Sequence, residues 1–167
     1  MIGLYWGRFN PPHKGHMAVI KRLLKEVDAL IIAIGAAELK GTKRNPFDGE
    51  ERAKMMEAYL KEAGINSDRI NVVPVPDGKS YSSAISNLFR LCPKFDVAYM
   101  SDEKEGISEL LGKKTRVKVF KRTGTVSSTG IRGAIANGKK WEHLTGKSVA
   151  RIIKQLNGIE RIKRAYK

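Results

Sequence analysis

One six-residue stretch restricts the fold of this chain more than any other, because residues 29–34 are apolar without alternation. A strand formed there is buried on both faces, which is typical of parallel sheets covered by helices. Parallel neighbours need long crossover connections, and further strand patterns (2–6, 70–75, 95–100 and 115–120) do alternate with helical ones. Helices are predicted over 15–27, 48–63, 82–91, 103–111, 128–136, 145–156 and 159–166. The pattern predicts an α/β fold, a single doubly wound, Rossmann-like domain over residues 1–167 with a five-stranded parallel sheet and C-terminal helices.

Length and composition narrow the class of protein. A chain of 167 residues with 41% hydrophobic content fits one globular domain. No apolar run approaches the ~20 residues that span a bilayer, and the first residues do not have the pattern of a signal peptide, so we expect no membrane partner. Cys92 is the only cysteine, which excludes an intrachain disulfide and a cysteine-based metal site and predicts a cytoplasmic protein.

The segment Gly7 to His16, with the sequence GRFNPPHKGH, joins the first predicted strand to the first predicted helix. His13 and His16 are three residues apart at the start of the helix, so both can face one site. A helix N-terminus offers unpaired N–H groups and partial positive charge. Lys14 adds a fixed charge there, and Gly15 lets a ligand approach the backbone closely. The segment therefore predicts a phosphate site; the alternative is an ordinary strand–turn–helix with two surface histidines.

A second segment, TVSSTGIR over residues 125–132, follows the last predicted strand and opens a helix. Ser127 or Ser128 can cap that helix, and the hydroxyl and N–H groups there would again receive phosphate. Arg132 lies one turn further along, on the same side as Ser128 and Thr129. The alternative is a well-capped helix with an exposed arginine.

The first segment resembles the HxGH motif of the nucleotidylyltransferase superfamily, and the second resembles that superfamily's ISSTxxR motif. The form GRFNPPHKGH, the loop Asn45-Pro46-Phe47 followed by Glu51-Arg52, and the ending NGIERIK are similar to nicotinamide mononucleotide adenylyltransferases of the archaeal type. The resemblance covers nearly the whole chain. It implies transfer of the adenylyl group of ATP to nicotinamide mononucleotide, giving NAD and pyrophosphate, with Mg²⁺ accompanying ATP. It also suggests a homo-oligomer.

The resemblance assigns roles to particular residues. It implies three catalytic residues: His13 and His16 act on the triphosphate and the transition state, and Arg132, together with Lys14, neutralises the departing pyrophosphate. The ATP site would take further residues from both motifs: Arg8, Phe9, Asn10, Lys14, Gly15, Ser127, Ser128 and Thr129. A substrate phosphate is already an anion at neutral pH and needs no general base, so catalysis would consist of positioning and charge stabilisation.

The departures from the family lie together, in the half of the site that would hold the mononucleotide. Ala84 stands where this group usually has a tryptophan near the pyridine ring, and Tyr81 stands where it usually has asparagine. Asp102 likewise replaces an asparagine. We hypothesise that Asp102 lies near the pyridinium ring and that Arg44 or Arg52 binds the mononucleotide phosphate. The alternative is that another phosphorylated metabolite is the acceptor.

The net charge of +15, from 32 basic and 17 acidic residues, would attract polyanions. With the C-terminal run of Arg161, Lys163, Arg164 and Lys167, it motivates another alternative, a basic nucleic-acid-binding module. The sequence has no recognised nucleic-acid motif and no aromatic–basic repeat, so we expect no specific nucleic-acid partner. The expected small-molecule partners are ATP and nicotinamide mononucleotide.

Overall fold

The computed structural model describes residues 1–101, 105–121 and 124–167; Asp102, proposed from the sequence to face the pyridinium ring, lies outside these ranges. Five parallel strands form one sheet in the order β3-β2-β1-β4-β5. The strands are β1 (Ile2–Gly7), β2 (Ala29–Ile34), β3 (Ile70–Pro74), β4 (Val97–Ser101) and β5 (Arg116–Phe120). The α/β class and the doubly wound parallel sheet expected from the sequence are therefore confirmed.

The helices of the described chain lie close to their predicted positions. They are α1 (Lys14–Leu23), α2 (Gly49–Glu62), α3 (Tyr81–Leu91), α4 (Glu105–Gly112), α5 (Ser128–Ala136), α6 (Lys147–Gln155) and α7 (Gly158–Tyr166). Asp48, at the predicted beginning of the second helix, caps α2: its carboxylate accepts from the Glu51 N–H at 2.9 Å, and the Glu51 carboxylate accepts from the Asp48 N–H at 3.1 Å. The largest difference is the end of α1, which stops at Leu23. Val27 keeps the helical spacing but packs into the core from the turn that follows.

Helices cover both faces of the sheet, and β2 shows this most directly. Its residues Leu30, Ile32 and Ile34 pack into a core shared with α1, α2 and the C-terminal helices. The alternate residues Ile31 and Ala33 pack into a second core shared with α3 and α4. Both sets are buried, which explains why the sequence of β2 is apolar without alternation.

The order of the strands reverses between β1 and β4. The carboxyl ends of these two strands, at Gly7 and Ser101, lie at the same edge of the sheet. In open α/β sheets the crevice at such a switch point is where ligands bind, because the crossovers leave it in opposite directions. Separately, within the described ranges no helix combines the length and apolarity needed to cross a bilayer.

Candidate active site

A cavity of about 240 Å³ opens at this switch point, between the beginnings of α1 and α5. Both sequence motifs line it, although they are more than a hundred residues apart in the chain. The lining includes these residues that the sequence predicts to be in the site: Arg8, Phe9, Asn10, His13, Gly15, His16, Arg44, Ser127, Ser128, Thr129 and Arg132. The structure thus brings together most of the residues expected to bind ATP.

The backbone at the start of α1 orients both histidines. His13 is the N-cap, and its Nδ1 accepts from the Gly15 N–H at 3.1 Å. The Nδ1 of His16 accepts from the His13 N–H at 3.2 Å, so the two imidazoles form a reciprocal capping box. Because Nδ1 is an acceptor in each ring, the neutral imidazole carries its proton on Nε2, the tautomer that donates to an anion. The rings stack with centroids 3.6 Å apart.

Phe9 fixes the second histidine from the side of the core. Its backbone has a left-handed φ of 51°, which is unusual for a residue with a side chain. Its ring is buried between Tyr5 and His16, edge-on to both, with centroids 5.1 and 4.7 Å away. A Cβ at Gly7 would lie 2.8 Å from this ring, so glycine is required there for the turn to close. Phe9 therefore supports the site chiefly by holding the His16 ring.

The structure gives a second reason for glycine at position 15. The sequence analysis expected glycine here to let a ligand approach the backbone. In the structure, a Cβ at this position would lie 3.0 Å from both Cε1 and Nδ1 of His13. Glycine is therefore needed to make room for the imidazole ring itself.

Three side chains from distant parts of the sequence hold the turn of the first motif, each through one of its consecutive carbonyl groups. Arg132 Nη1 donates to the carbonyl of residue 10 at 2.7 Å, and the Ser128 hydroxyl donates to that of residue 11 at 2.9 Å. Thr145, buried just before α6, donates to the carbonyl of residue 12 at 2.7 Å. Sequence reasoning missed Thr145, since a lone threonine before a helix gives no signal of a partner far away in the chain.

The hydroxyl groups of the second motif have structural partners of their own. The Ser127 hydroxyl caps α5 by accepting from the Gly130 N–H at 2.9 Å, which leaves its own proton to be donated elsewhere. The Ser128 proton is used in the turn, as described above. Thr129 Oγ1 accepts from Arg132 at 3.3 Å and so helps to orient the guanidinium group. Of the three, Ser127 has the arrangement best suited to a phosphate oxygen.

Arginine side chains give the cavity its charge, since Arg8, Arg44 and Arg132 all line it and no carboxylate of the described lining opposes them. Burial lowers the pKa of Arg132, an effect that the hydroxyl of Tyr166 on α7 counteracts. Burial is also the main cause that lowers the pKa of Arg8, followed by repulsion from Arg44. Arg8 Nη1 and Arg132 Nε are buried without a hydrogen-bond partner among the described residues. Such donors are costly when left unpaired, so both guanidinium groups keep unused capacity to bind an anion.

Arg52 does not reach this cavity, which corrects its assignment as a direct ligand of the mononucleotide phosphate. Its side chain is fully buried, and its guanidinium donates to the carbonyls of Arg8, Gly35, Ala36 and Asp48 at 2.5 to 3.0 Å. Burial lowers its pKa to about 10. The arginine ties the backbone after β1 to the backbone after β2, and no sequence pattern distinguishes this use from ligand binding.

Two other predicted ligands differ in placement. Lys14 is exposed at the start of α1 and lies outside the described lining of the cavity, although it directly follows His13 in the chain. Arg44 is exposed on the loop after β2, yet it lines the cavity.

A second cavity, of about 570 Å³, continues from the first, since Trp6, Arg8 and Arg44 line both. Its other walls are the loop after β3 and the beginnings of α3 and α4: Asp77, Gly78, Lys79, Ser80, Tyr81, Ala84, Gly106 and Ile107. Sequence reasoning singled out Tyr81 and Ala84 here but not Trp6, which the apolar run of β1 conceals. The two cavities together could hold two substrates that meet at Arg8.

Comparisons with known proteins agree with this geometry. The model of the cytidylyltransferase-like family matches residues 4–134. A nicotinamide-nucleotide adenylyltransferase of Pyrobaculum arsenaticum is 37% identical over 165 residues, which are 98% of this chain and 93% of the relative. An enzyme of the same name from Caldivirga maquilingensis is 37% identical over 168 residues, covering 96% of this chain and 92% of its own.

A solved structure has the same fold. It is the bifunctional NMN adenylyltransferase/ADP ribose pyrophosphatase of Francisella tularensis, complexed with AMP and a manganese ion. It superposes with a TM-score of 0.77 at 20% sequence identity, over 98% of this chain and 51% of that one. This chain therefore spans about half the length of the bifunctional protein.

Proposed function

This chain belongs to the cytidylyltransferase-like family, and on that basis we propose that it transfers the adenylyl group of ATP to nicotinamide mononucleotide, forming NAD and pyrophosphate. One observation carries the proposal: the His13–His16 pair and Arg132 meet in one cavity, and a second cavity adjoins it. The curated relatives named above are called after this activity and match nearly the whole chain. We assign the activity to one domain over residues 1–167.

The reaction needs positioning and charge neutralisation more than proton transfer. An oxygen of the mononucleotide phosphate attacks the α-phosphorus of ATP, and the bond from that phosphorus to the bridging oxygen breaks. Pyrophosphate leaves with the bonding electron pair. The attacking oxygen is already anionic, so the site has no need of a general base, and its donors serve to align the phosphates and to stabilise their charge.

We assign the histidines and Arg132 to the triphosphate. The Nε2–H groups of His13 and His16 would donate to oxygens of the α- and β-phosphates, where charge changes during the reaction. Arg132, held by the turn of the first motif, would neutralise the departing pyrophosphate. The Ser127 hydroxyl and the N–H groups at the start of α5 would bind the same phosphates.

We assign Arg8 and Arg44 to the meeting point of the substrates, since both line the two cavities. Their charge would draw the mononucleotide phosphate towards the α-phosphate despite the repulsion between the two anions. Arg52 acts behind them, by fixing the carbonyl of Arg8. In this proposal Arg52 is a positioning residue.

Magnesium would enter as part of the substrate, as the MgATP complex. The polar side chains in the described lining of the first cavity are mainly imidazole, hydroxyl and guanidinium groups, a set that fits phosphate oxygens rather than a cation. Mg²⁺ commonly keeps its waters and binds substrate phosphates with few protein ligands. When bound, it neutralises part of the triphosphate charge.

We propose a cytoplasmic protein, because a single cysteine is typical of a reducing compartment. We also propose a homo-oligomer, which light scattering coupled to gel filtration would test by measuring the mass in solution.

A panel of acceptors tests the function. The purified chain is incubated with MgATP and one acceptor at a time, and pyrophosphate release is measured. We expect nicotinamide mononucleotide to be among the fastest acceptors. The variant His16→Ala, once circular dichroism shows that it is folded, should release pyrophosphate more slowly, by about 10²-fold or more. Release with a different phosphorylated metabolite alone would overturn the acceptor, and no release with any acceptor would overturn the nucleotidyl-transfer site.

A further inference from the structure

The second cavity presents an aromatic surface that phosphate chemistry does not use. Tyr81, the first residue of α3, lines this cavity and is 58% exposed. Trp6, the other aromatic residue of the described lining, is only 3% exposed, because most of its ring packs into the core. Tyr81 therefore offers most of the aromatic area that a ligand in this cavity could cover, and a flat ring is the group that gains most from covering it.

The beginning of α3 is held firmly, so the position of Tyr81 is fixed. The hydroxyls of Ser80 and Ser83 form a reciprocal cap, with each accepting from the other's N–H at 3.1 and 2.9 Å. One turn further on, Asn87 donates to the carbonyl of Pro76 at 3.0 Å. These bonds join α3 to the loop before it, so little backbone freedom remains to be lost when a ligand binds.

Neighbouring small residues set the space around the Tyr81 ring. A Cβ at Gly106 on α4 would lie 3.3 Å from Cε2 of Tyr81, so the absence of a side chain there lets the ring edge lie close to α4. Ala84 lies one helical turn after Tyr81 and lines the same cavity with a single methyl group. The ring is therefore supported along one edge and leaves open volume beside α3.

The second cavity is lined by charges of both signs. Arg8 and Arg44 lie at the junction with the first cavity, where the accepting phosphate must be. The Asp77 carboxylate also lines the cavity and is fixed by the Ala36 N–H at 2.8 Å, whereas the cation of the same loop, Lys79, is exposed. A mononucleotide with a cationic ring fits this arrangement, because its phosphate would face the arginines and its ring the phenol and the carboxylate.

We propose that Tyr81 is a specificity-determining residue that stacks against the cationic pyridine ring of the acceptor. This inference rests on the proposed function, which supplies the acceptor. It assigns ring recognition to the first residue of α3, with Ala84 leaving the space that the ring occupies.

Substitution of Tyr81 tests the proposal. Tyr81→Ala should raise the KM for nicotinamide mononucleotide by about five- to tenfold, the scale of one aromatic and cation–π contact. The KM for ATP should not change. The inhibition constant of ribose 5-phosphate, which has the sugar and phosphate but no ring, should not change either. Tyr81→Phe keeps the ring face and should stay within about twofold of the wild type. Leu91→Ala, at the exposed far end of α3, is the matched control.

The outcomes separate this inference from the function on which it rests. If the wild type makes NAD and Tyr81→Ala leaves the KM for the mononucleotide unchanged, the stacking is refuted and the function stands. An equal rise in the inhibition constant of ribose 5-phosphate would also refute it, since the effect would then be on the shape of the cavity. If the wild type makes no NAD, the function fails. In that case calorimetry measures binding of the mononucleotide to the wild type and to Tyr81→Ala, with a non-transferable ATP analogue present. Equal affinities would refute the stacking, and weaker binding to Tyr81→Ala would support it.

Discussion

Replacing Gly15 by alanine should slow the reaction without weakening the fold. Gly15 lies in the first turn of α1, where alanine is the better helix former by up to ~1 kcal/mol, and this gain offsets the ~1 kcal/mol that a weakened His13 cap would cost. The new Cβ would lie 3.0 Å from two atoms of the His13 ring, whereas carbon contacts are most favourable at about 3.5–4.0 Å. The ring must therefore move by a few tenths of an ångström, which also strains the bond that Gly15 donates to it at 3.1 Å.

This displacement sets the expected size of the effect. Misplacing a catalytic group by about 1 Å can cost about 10²-fold, so a shift of a few tenths of an ångström predicts a fall of roughly four- to tenfold in kcat. Steady-state kinetics and thermal unfolding measure the two quantities separately. The matched control is Gly133→Ala in α5, where an added Cβ meets no heavy atom within 4 Å. It should also keep or raise the melting temperature, but leave kcat unchanged.

The reasoning about the histidine cap would be refuted by one combination of results. If Gly15→Ala is folded and as stable as the wild type, and turns over at the wild-type rate, the position of the His13 ring does not matter for the chemistry.

Three further predictions concern contacts that hold the site. Arg132→Lys should lower kcat/KM by about 10²-fold or more, because lysine cannot both bond the carbonyl of residue 10 and reach the phosphates; kinetics with a circular-dichroism check of folding measures it. Thr145→Val should lower the free energy of unfolding by about 1–3 kcal/mol, since the buried carbonyl of residue 12 loses its donor; unchanged denaturant curves would contradict this. Burial would raise the pKa of Glu51, but hydrogen bonds from Arg161 and Lys40 hold it below its ordinary value. This carboxylate therefore stabilises the fold above about pH 4.3 and loses that effect as the pH falls through its lowered pKa. Glu51→Gln should therefore be less stable at pH 7 and show a smaller further loss towards pH 3; parallel pH curves would contradict the ion pair's role.

The strands and the helix beginnings were predictable because their causes are local. The buried strand β2 has its predicted bounds, since residues 29–34 must be apolar on both faces. Ser127 caps α5 as expected, and α2 begins after Asp48, where its helix was predicted to start, because a cap depends on residues three positions apart. The two motifs were recognisable for the same reason, since each carries its donors within one turn.

The roles of long side chains were not predictable, because their partners are distant in sequence. The sequence places Arg161 in a basic C-terminal run. In the structure it pairs with Glu51 at 2.8 Å, donates to the carbonyl of Pro46 and lies over the Phe47 ring. It ties α7 to the loop before α2 and is no part of a freely exposed charge. Arg52 is the same kind of case, since only the fold reveals that it donates to backbone carbonyls. Charge pattern alone cannot separate an arginine that binds a ligand from one that binds the chain.

Tracing the α-phosphate of ATP tests the central claim most directly. The purified chain is given ATP labelled with ³²P at the α-position, magnesium and nicotinamide mononucleotide, and the products are separated. The attack on the α-phosphorus described above predicts that the label appears in NAD, in step with unlabelled pyrophosphate. Label that stays in ATP, or that is released as AMP without NAD, would contradict adenylyl transfer to this acceptor.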